Sequence, residues 1–568
     1  MNKILLLGML LVSSALAQIR TTIPCPDGTI ASPDVRCYRT ISYNTSGGVA
    51  KWKHSWTPSK KAYDIWVGPV GSYVLVDYKE ITFHYPDGST PKMVQEIARK
   101  RLSFGSAGDV VAKDVNAKDP LNPTATAGYT VRIYHRTLPN GAAFLGRMDK
   151  PVIVCQGFDP NFNVDGVDPI TGAKRNLTMN ANDMVKILGS NMIYNLLDQN
   201  YSVVLIMFKD PTASIAWNAE ASLDVLQWVQ QQAVGQDLTV IGPSMGGLIM
   251  RKALIEAGKR QINLHPRLFI AYDSPNWGAV VPFPLQAAAR YFRNNDDNKK
   301  ATFNNLTSPA ASQMLLVQTG KPSRNPSKQS WDGYFAHPDG SVTTTTASVF
   351  LRELNAPANW NYIRSLKTQA GNPVQVMAVT DGSPDQNQGL PEGTKYCDYN
   401  YTSLWLKMYT GSAGANREVA VFNAFGLNEQ KYQYWEPVVT ENLPGGFRDS
   451  YSGLKYGLTD EGYNDGHWGA EFLNDLILGD RYKVFGYKGH TFIPTVSAAG
   501  IRTSDYRTFN YTSSWYLPTG TTQLNSDQSW FDKVYIASKN WIHVSPVNMQ
   551  SSSPVHGTIM NLIQGLQP

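Results

Sequence analysis

The sequence predicts an α/β fold, a three-layer sandwich in which helices cover both faces of a mostly parallel sheet. Two observations carry this. From about Lys150 onward short apolar runs alternate with helical periods, the pattern of a doubly wound sheet. The runs are also near-continuous rather than alternating, as strands become when both faces are covered. A composition of 42% hydrophobic and 17% charged residues adds an ample core and excludes a disordered chain.

Taken in order, residues 152–155 are a short apolar strand and 184–197 a helix. Residues 201–208 form the next strand. Ala219, Leu223, Leu226 and Val229 recur at steps of three or four, which predicts an amphipathic helix over 219–234. A strand at 238–241, a helix at 248–257 stopped by Gly258, and a strand at 267–272 follow. Regularity then fails. Residues 279–367 hold helix-like pieces at 284–292 and 347–354 joined by polar loops, and read as a lid-like insertion over one end of the sheet. A strand returns at 374–380, a second irregular stretch rich in Tyr, Trp and Gly fills 390–529, and a strand at 534–536 precedes a helix at 558–566.

Ahead of this domain, taken as 129–568, residues 18–128 read as a β-containing extension. Strands are expected at 73–78, 81–85 and 129–134, with a hairpin turn at 138–141. Residues 1–17 have the features of an export signal: Lys3, an apolar run over 4–12, and Ala15-Leu16-Ala17 as a small-x-small cleavage pattern. A secreted or periplasmic protein is expected. In that setting Cys25 and Cys37 suit a local disulfide, Cys155 at the end of an apolar run suits a buried hydrophobe, and Cys397 lacks a local partner. Four cysteines allow three pairings, and spacing does not choose among them. No Cys/His spacing resembles a zinc site, so no metal is expected. The segment 161–168 alternates oxygen ligands like a calcium loop, but Gly172 stands where the closing Glu belongs, and an Asx-rich turn is the better reading. A net charge of +6, from 51 basic and 45 acidic residues without a basic stripe, does not point to nucleic acid.

The chemistry-bearing segment is Val240-Ile241-Gly242-Pro243-Ser244-Met245-Gly246-Gly247-Leu248, where G-x-S-x-G falls between a strand and a helix. So sharp a turn forces the serine into a strained backbone conformation with its hydroxyl exposed at the sheet's carboxyl edge. Side chains at Gly242 and Gly246 would collide with the neighbouring strand and helix. The helix start adds free N–H groups and a positive dipole end beside the serine.

On these residues the chain resembles the esterase and lipase branch of the α/β-hydrolase superfamily, over roughly 150–278. Pro243 departs from the His commonly found before the serine. The resemblance implies Ser244 as nucleophile, with an oxyanion hole formed by the N–H of Met245 and that of Phe158 in Gln156-Gly157-Phe158. Gln156 stands where the family often has His. The family order Ser, acid, His directs attention to the histidines after residue 374. His543, a short loop beyond the strand at 534–536, is the best placed, with His556 and His490 as alternatives. Most members carry the acid after the strand that follows the first insertion, which implies Asp381; a minority use the preceding strand, which implies Asp273. The implied activity is hydrolysis of a small-molecule or polymer ester without a cofactor, possible at a lipid surface. An acyltransferase, a serine peptidase or a non-catalytic binding protein on the same fold are the alternatives, and the oligomeric state stays open.

Overall fold

The computed structural model describes residues 148–158, 201–233, 235–294, 297–322, 346–383, 490–502, 528–538 and 554–565. It further describes strands within 38–136, 162–177, 330–335, 395–448 and 520–523, together with Met192, Leu196, Gln199 and His543. The export signal, the Cys25 and Cys37 pair and the turn at 138–141 lie outside the described residues.

Two compact units divide the chain: 1–111 with 132–149 and 189–204, and 112–131 with 150–188 and 205–568. In the first, Tyr73–Val76 pairs antiparallel with Arg101–Phe104, and Glu80–Phe83 with Lys92–Gln95.

The second unit is organised by a mixed, mostly parallel sheet. Its elements are β1 (Val152–Cys155), β2 (Val203–Phe208, of which 205–208 belong to this unit), α1 (Ile215–Gln232), β3 (Leu238–Pro243), α2 (Met245–Lys259), β4 (Pro266–Tyr272), α3 (Phe283–Phe292), α4 (Asp297–Leu306), α5 (Pro309–Met314), α6 (Thr346–Leu354), α7 (Pro357–Ser365), β5 (Gln375–Val379), β6 (Gly520–Gln523), β7 (Lys533–Ile536) and α8 (Pro554–Gln564). The strand order is β6-β7-β5-β4-β3-β1-β2. Pairs β1/β3, β3/β4, β4/β5 and β5/β7 are parallel, and β6 joins the edge antiparallel. The central strands are apolar along their length because helices flank them: β3 is buried throughout, and β1 likewise. Local signals set the helix starts. Ser214 caps α1 by accepting Trp217 N–H, and Ser308, followed by Pro309, caps α5 by accepting Ala311 N–H.

Several expectations are corrected. Gly258 does not stop α2. The helix runs from Met245 to Lys259, and the glycine sits inside it because an added Cβ would lie 2.3 Å from the Tyr362 carbonyl oxygen of α7. Helix α8 begins at Pro554, ahead of the expected start at 558, so His556 is helical. Within the second irregular stretch a strand, His490–Pro494, ends at Pro494. A short helix, Thr495–Ala498, takes over, its hydroxyls engaged by Ser383 O (Thr495 Oγ1, 2.7 Å) and Gly278 O (Ser497 Oγ, 2.7 Å). The Asx-rich segment is no simple turn: Phe162–Val167 is a strand paired antiparallel with Lys174–Leu177.

The two irregular stretches hold ordered β-structure that local periodicity did not reveal. Val317–Pro322 and Ser330–Phe335 from the first join Lys395–Tyr401, Leu404–Tyr409, Glu418–Asn423 and Gln430–Tyr434 from the second in one six-stranded sheet. The joint is parallel, Ser330–Phe335 against Gln430–Tyr434, with Trp331 opposite Tyr432.

Candidate active site

Ser244 sits at the corner between β3 and α2. Its backbone is strained, with φ 53° and ψ −133°, in a region that favours glycine. The corner holds because its neighbours leave no other path. An added Cβ at Gly242 would lie 2.4 Å from the Gly246 carbonyl group, and one at Gly246 would lie 2.9 Å from Cys155 Sγ and 3.0 Å from Cys155 O. Ser244 N–H donates to Tyr272 O of the adjacent strand at 2.8 Å.

Ser244 occupies the N-cap of α2 but makes no side-chain capping bond. A serine there ordinarily turns its oxygen onto the N2 or N3 amide. Here Oγ instead lies 2.8 Å from His543 Nε2. The other ring nitrogen, Nδ1, lies 2.6 Å from Asp273 Oδ2. The hydroxyl, imidazole and carboxyl thus form one continuous hydrogen-bonded chain. Asp273 is wholly buried and His543 nearly so, whereas Ser244 is half-buried. The ring of Phe492 packs edge-on against His543, centroids 5.0 Å apart, which fixes the imidazole plane.

Asp273 directly follows β4 with φ 41°, a second strained residue. Its N–H donates to Val379 O at 2.6 Å, and its Oδ1 accepts Asp381 N–H at 3.1 Å. Removal from water pushes the carboxyl up to about 7, against the opposing pull of that N–H. The segment that follows is tied to the 495–498 helix, where Asn276 Nδ2 donates to Ala498 O and Trp277 N–H to Ser497 Oγ.

Of the two acids implied by resemblance, Asp273 therefore meets His543, and Asp381 does not occupy that place. Asp381 is nonetheless close: it is fully buried, accepts from Tyr272 OH at 3.2 Å, and its carboxylate lies within 4.8 Å of the ligand atoms of Asp273 and His543. Those three groups could hold a cation, but both imidazole nitrogens are already engaged by Ser244 and Asp273. His490 opens the strand His490–Pro494, and His556 lies in α8; their side chains are outside the described residues.

The N–H groups expected to face Ser244 are those of Met245 and Phe158. Met245 is the first residue of α2, so its N–H has no intrahelical acceptor. Gly157 passes directly over the serine, since an added Cβ would stand 3.3 Å from Ser244 Cβ and 3.7 Å from its Oγ. Phe158 is the next residue in the chain. Gln156 does not face the chemistry. Its Oε1 accepts Phe208 N–H at 2.9 Å and its N–H donates to Ile206 O, so it anchors the loop to β2. Cys155 is buried and reduced, with Sγ donating to Gly246 O; burial pushes its thiol up, which keeps it protonated and inert.

Sequence reasoning missed Ser274. Its Oγ lies 3.1 Å from Gly242 O and 2.8 Å from Ser244 O, bracing the carbonyls on both sides of the elbow. A small hydroxyl right after Asp273 was the signal available.

No protein-family model matches the chain, and no curated protein matches it in sequence. Among solved structures it is similar to an esterase from Pyrobaculum calidifontis at 12% identity, with 47% of this chain and 66% of that one covered and a TM-score of 0.23. Fungal esterases from Rhizomucor miehei match at 13% identity, 48% and 65% coverage and a TM-score of 0.22. Carboxyl esterase 2 from Tuber melanosporum matches at 11%, 48% and 66%, with a TM-score of 0.23. The chain spans just under two thirds of each of these proteins. The α/β-hydrolase fold itself rests on the strand order and the β3–α2 elbow.

Proposed function

We propose that this chain is an exported serine hydrolase that cleaves carboxylic esters through an acyl-enzyme, with Ser244 as nucleophile, His543 as base and Asp273 as acid. One observation carries the reading: a helix-capping serine that caps nothing and presents Oγ to a buried imidazole 2.8 Å away. An imidazole ordinarily titrates near neutrality, so it can take a proton from a hydroxyl and return it within one turnover.

In the first half-reaction His543 Nε2 takes the Ser244 proton as Oγ bonds to the ester carbonyl carbon. The carbonyl oxygen becomes an anion beside the N–H groups of Met245 and Phe158. Donors placed so contribute roughly 3–4 kcal/mol each to the barrier. The tetrahedral adduct collapses, its C–O bond to the alcohol breaks, and His543 hands its proton to the leaving alkoxide. Water then repeats the sequence on the acyl-enzyme and frees the acid. Asp273 holds Nδ1–H throughout, which keeps the tautomer that leaves Nε2 free to accept. Export is supported by residues 1–17, which precede the described structure.

A fluorophosphonate probe should label the native protein, and Ser244→Ala should abolish that labelling. The same variant should lower p-nitrophenyl butyrate hydrolysis by about 10⁴-fold or more. Labelling that persists in Ser244→Ala, or a labelled protein with no esterase turnover, would sink the proposal.

A further inference from the structure

Arg251 lies two turns along α2 from Ser244 and is wholly buried. None of its three guanidinium nitrogens has a hydrogen-bond partner among the described residues. The other basic residues of α2 and α7 are paired: Lys252 with Glu256 and Glu353, Lys259 with Glu256, and Arg364 with Asp532; Arg260, next after α2, pairs with Glu220 and Glu256. Burial alone pushes the Arg251 guanidinium down to about 9, with no acidic group to offset it, so it still carries its charge at neutral pH. An unpaired cation in a protein interior is among the most unfavourable arrangements a fold can hold.

What Arg251 does have is a ring beneath it. Its guanidinium carbon lies 5.1 Å from the Trp360 ring centroid in α7, and Trp360 stacks on Trp530 at 5.8 Å with planes 12° apart. Arg502 closes the far side, 3.4 Å above Trp530. The ladder is thus cation, indole, indole, cation. Stacking on a ring face satisfies part of a guanidinium's charge but none of its in-plane N–H groups. Trp360 adds to the surplus, because its own buried indole N–H is unpartnered as well. Four donor atoms on two touching side chains therefore lack any acceptor among the described residues.

The geometry points to a buried anion site between α2 and α7, in which the guanidinium of Arg251 and the indole N–H of Trp360 hold a small monovalent inorganic anion of halide size. A water molecule is a poorer occupant. It accepts about two hydrogen bonds and brings two further donors to a place already short of acceptors. An anion accepts from every side, donates nothing and balances the charge. Because Arg251 and Trp360 are almost fully enclosed, the ligand is small and enters by local opening rather than through a cleft.

The test is the chloride dependence of thermal unfolding of the full folded protein, with ionic strength held constant by sodium gluconate. An anion that binds only the folded state raises the midpoint as its concentration rises, by roughly 2–4 °C over a hundred-fold range above its dissociation constant. Arg251→Met should unfold at a midpoint independent of chloride, while Arg260→Met, at an exposed and paired cation, should keep the native response. Should Arg251→Met fail to fold, crystals of the native protein soaked in bromide provide the second measurement, with an anomalous peak expected beside the guanidinium. A native midpoint indifferent to chloride at constant ionic strength, or density beside Arg251 without an anomalous bromide signal, overturns the site. Both readouts are independent of ester turnover.

Discussion

At Asp273 the proposed function and stability pull in opposite directions. The carboxyl is pushed up to about 7 by burial, against 3.8 for an unperturbed group. Below pH 3.8 both folded and unfolded chains hold the proton, and no difference arises. As pH rises through 3.8 the unfolded chain releases it first, so stability falls until pH passes about 7 and then levels. Asparagine carries no such load, and its Oδ1 can still accept Asp381 N–H. Asp273→Asn is therefore expected to unfold at a higher midpoint than the native protein, by a margin that widens between pH 4 and pH 7. The size is at most a few kcal/mol, at about 1.4 kcal/mol per unit. Activity should move the other way, falling by roughly 10³–10⁴-fold in kcat/KM, because the amide donates to Nδ1 and selects the wrong tautomer. Asp381→Asn should lose less than about ten-fold, since the contact it gives Asp273 is a backbone N–H that the substitution leaves in place. Thermal melts and ester kinetics across pH 4–8 check all of this; a pH-independent margin would mean that His543 keeps Asp273 ionised throughout. The sequence offered both acids and could not choose between them. Tyr272 and Val379 are register partners on neighbouring parallel strands, so both chains leave the sheet at one level and both carboxyls emerge beside one imidazole.

The elbow was legible in the sequence because everything it needs lies within nine residues: an apolar strand, two small residues, the serine and a helix start. His543 was reachable only by its order along the chain and its place after β7. Ser274 was not reachable, because its role depends on contact with a helix about 30 residues earlier in the chain. An added Cβ at Gly247 would stand 1.8 Å from Ser274 Oγ and 2.7 Å from its Cβ, and 3.0 Å from Gly242 O. The clash is thus mainly with one removable side chain. Gly247→Ala alone is expected to destabilise by roughly 2–3 kcal/mol through overpacking. Ser274→Gly alone should cost about 1 kcal/mol in lost hydrogen bonds and added chain freedom. The double variant should be more stable than Gly247→Ala, with a coupling of at least about 1 kcal/mol in a double-mutant cycle read by urea unfolding. Strict additivity of the two losses would show that the elbow yields elsewhere.

For the second unit as a whole, the two stretches that read as separate irregular insertions share one sheet, and Tyr432 is where they meet. It is fully buried, with Ala420 its register partner on one side and Trp331 on the other. Its ring also meets Phe283 of α3 edge-on, with centroids 6.3 Å apart. Local periodicity could not reveal this arrangement, since a parallel pairing between strands about 100 residues apart leaves no mark on either strand's own pattern. The consequence is that these stretches should not open independently. Removing the ring by Tyr432→Ala leaves a large cavity, an expected loss of about 3–5 kcal/mol at that sheet. If the sheet opens as one unit, amide hydrogen exchange should quicken together in 418–423 and 430–434 from the later stretch and in 330–335 and α3 from the earlier one. Strands β3 and β4, which carry Ser244 and Asp273, should keep native protection, and hydrolysis of a short acyl ester should survive. Faster exchange confined to 418–434 would instead mean that the parallel pairing with Ser330–Phe335 contributes little, and that each insertion stands on its own contacts.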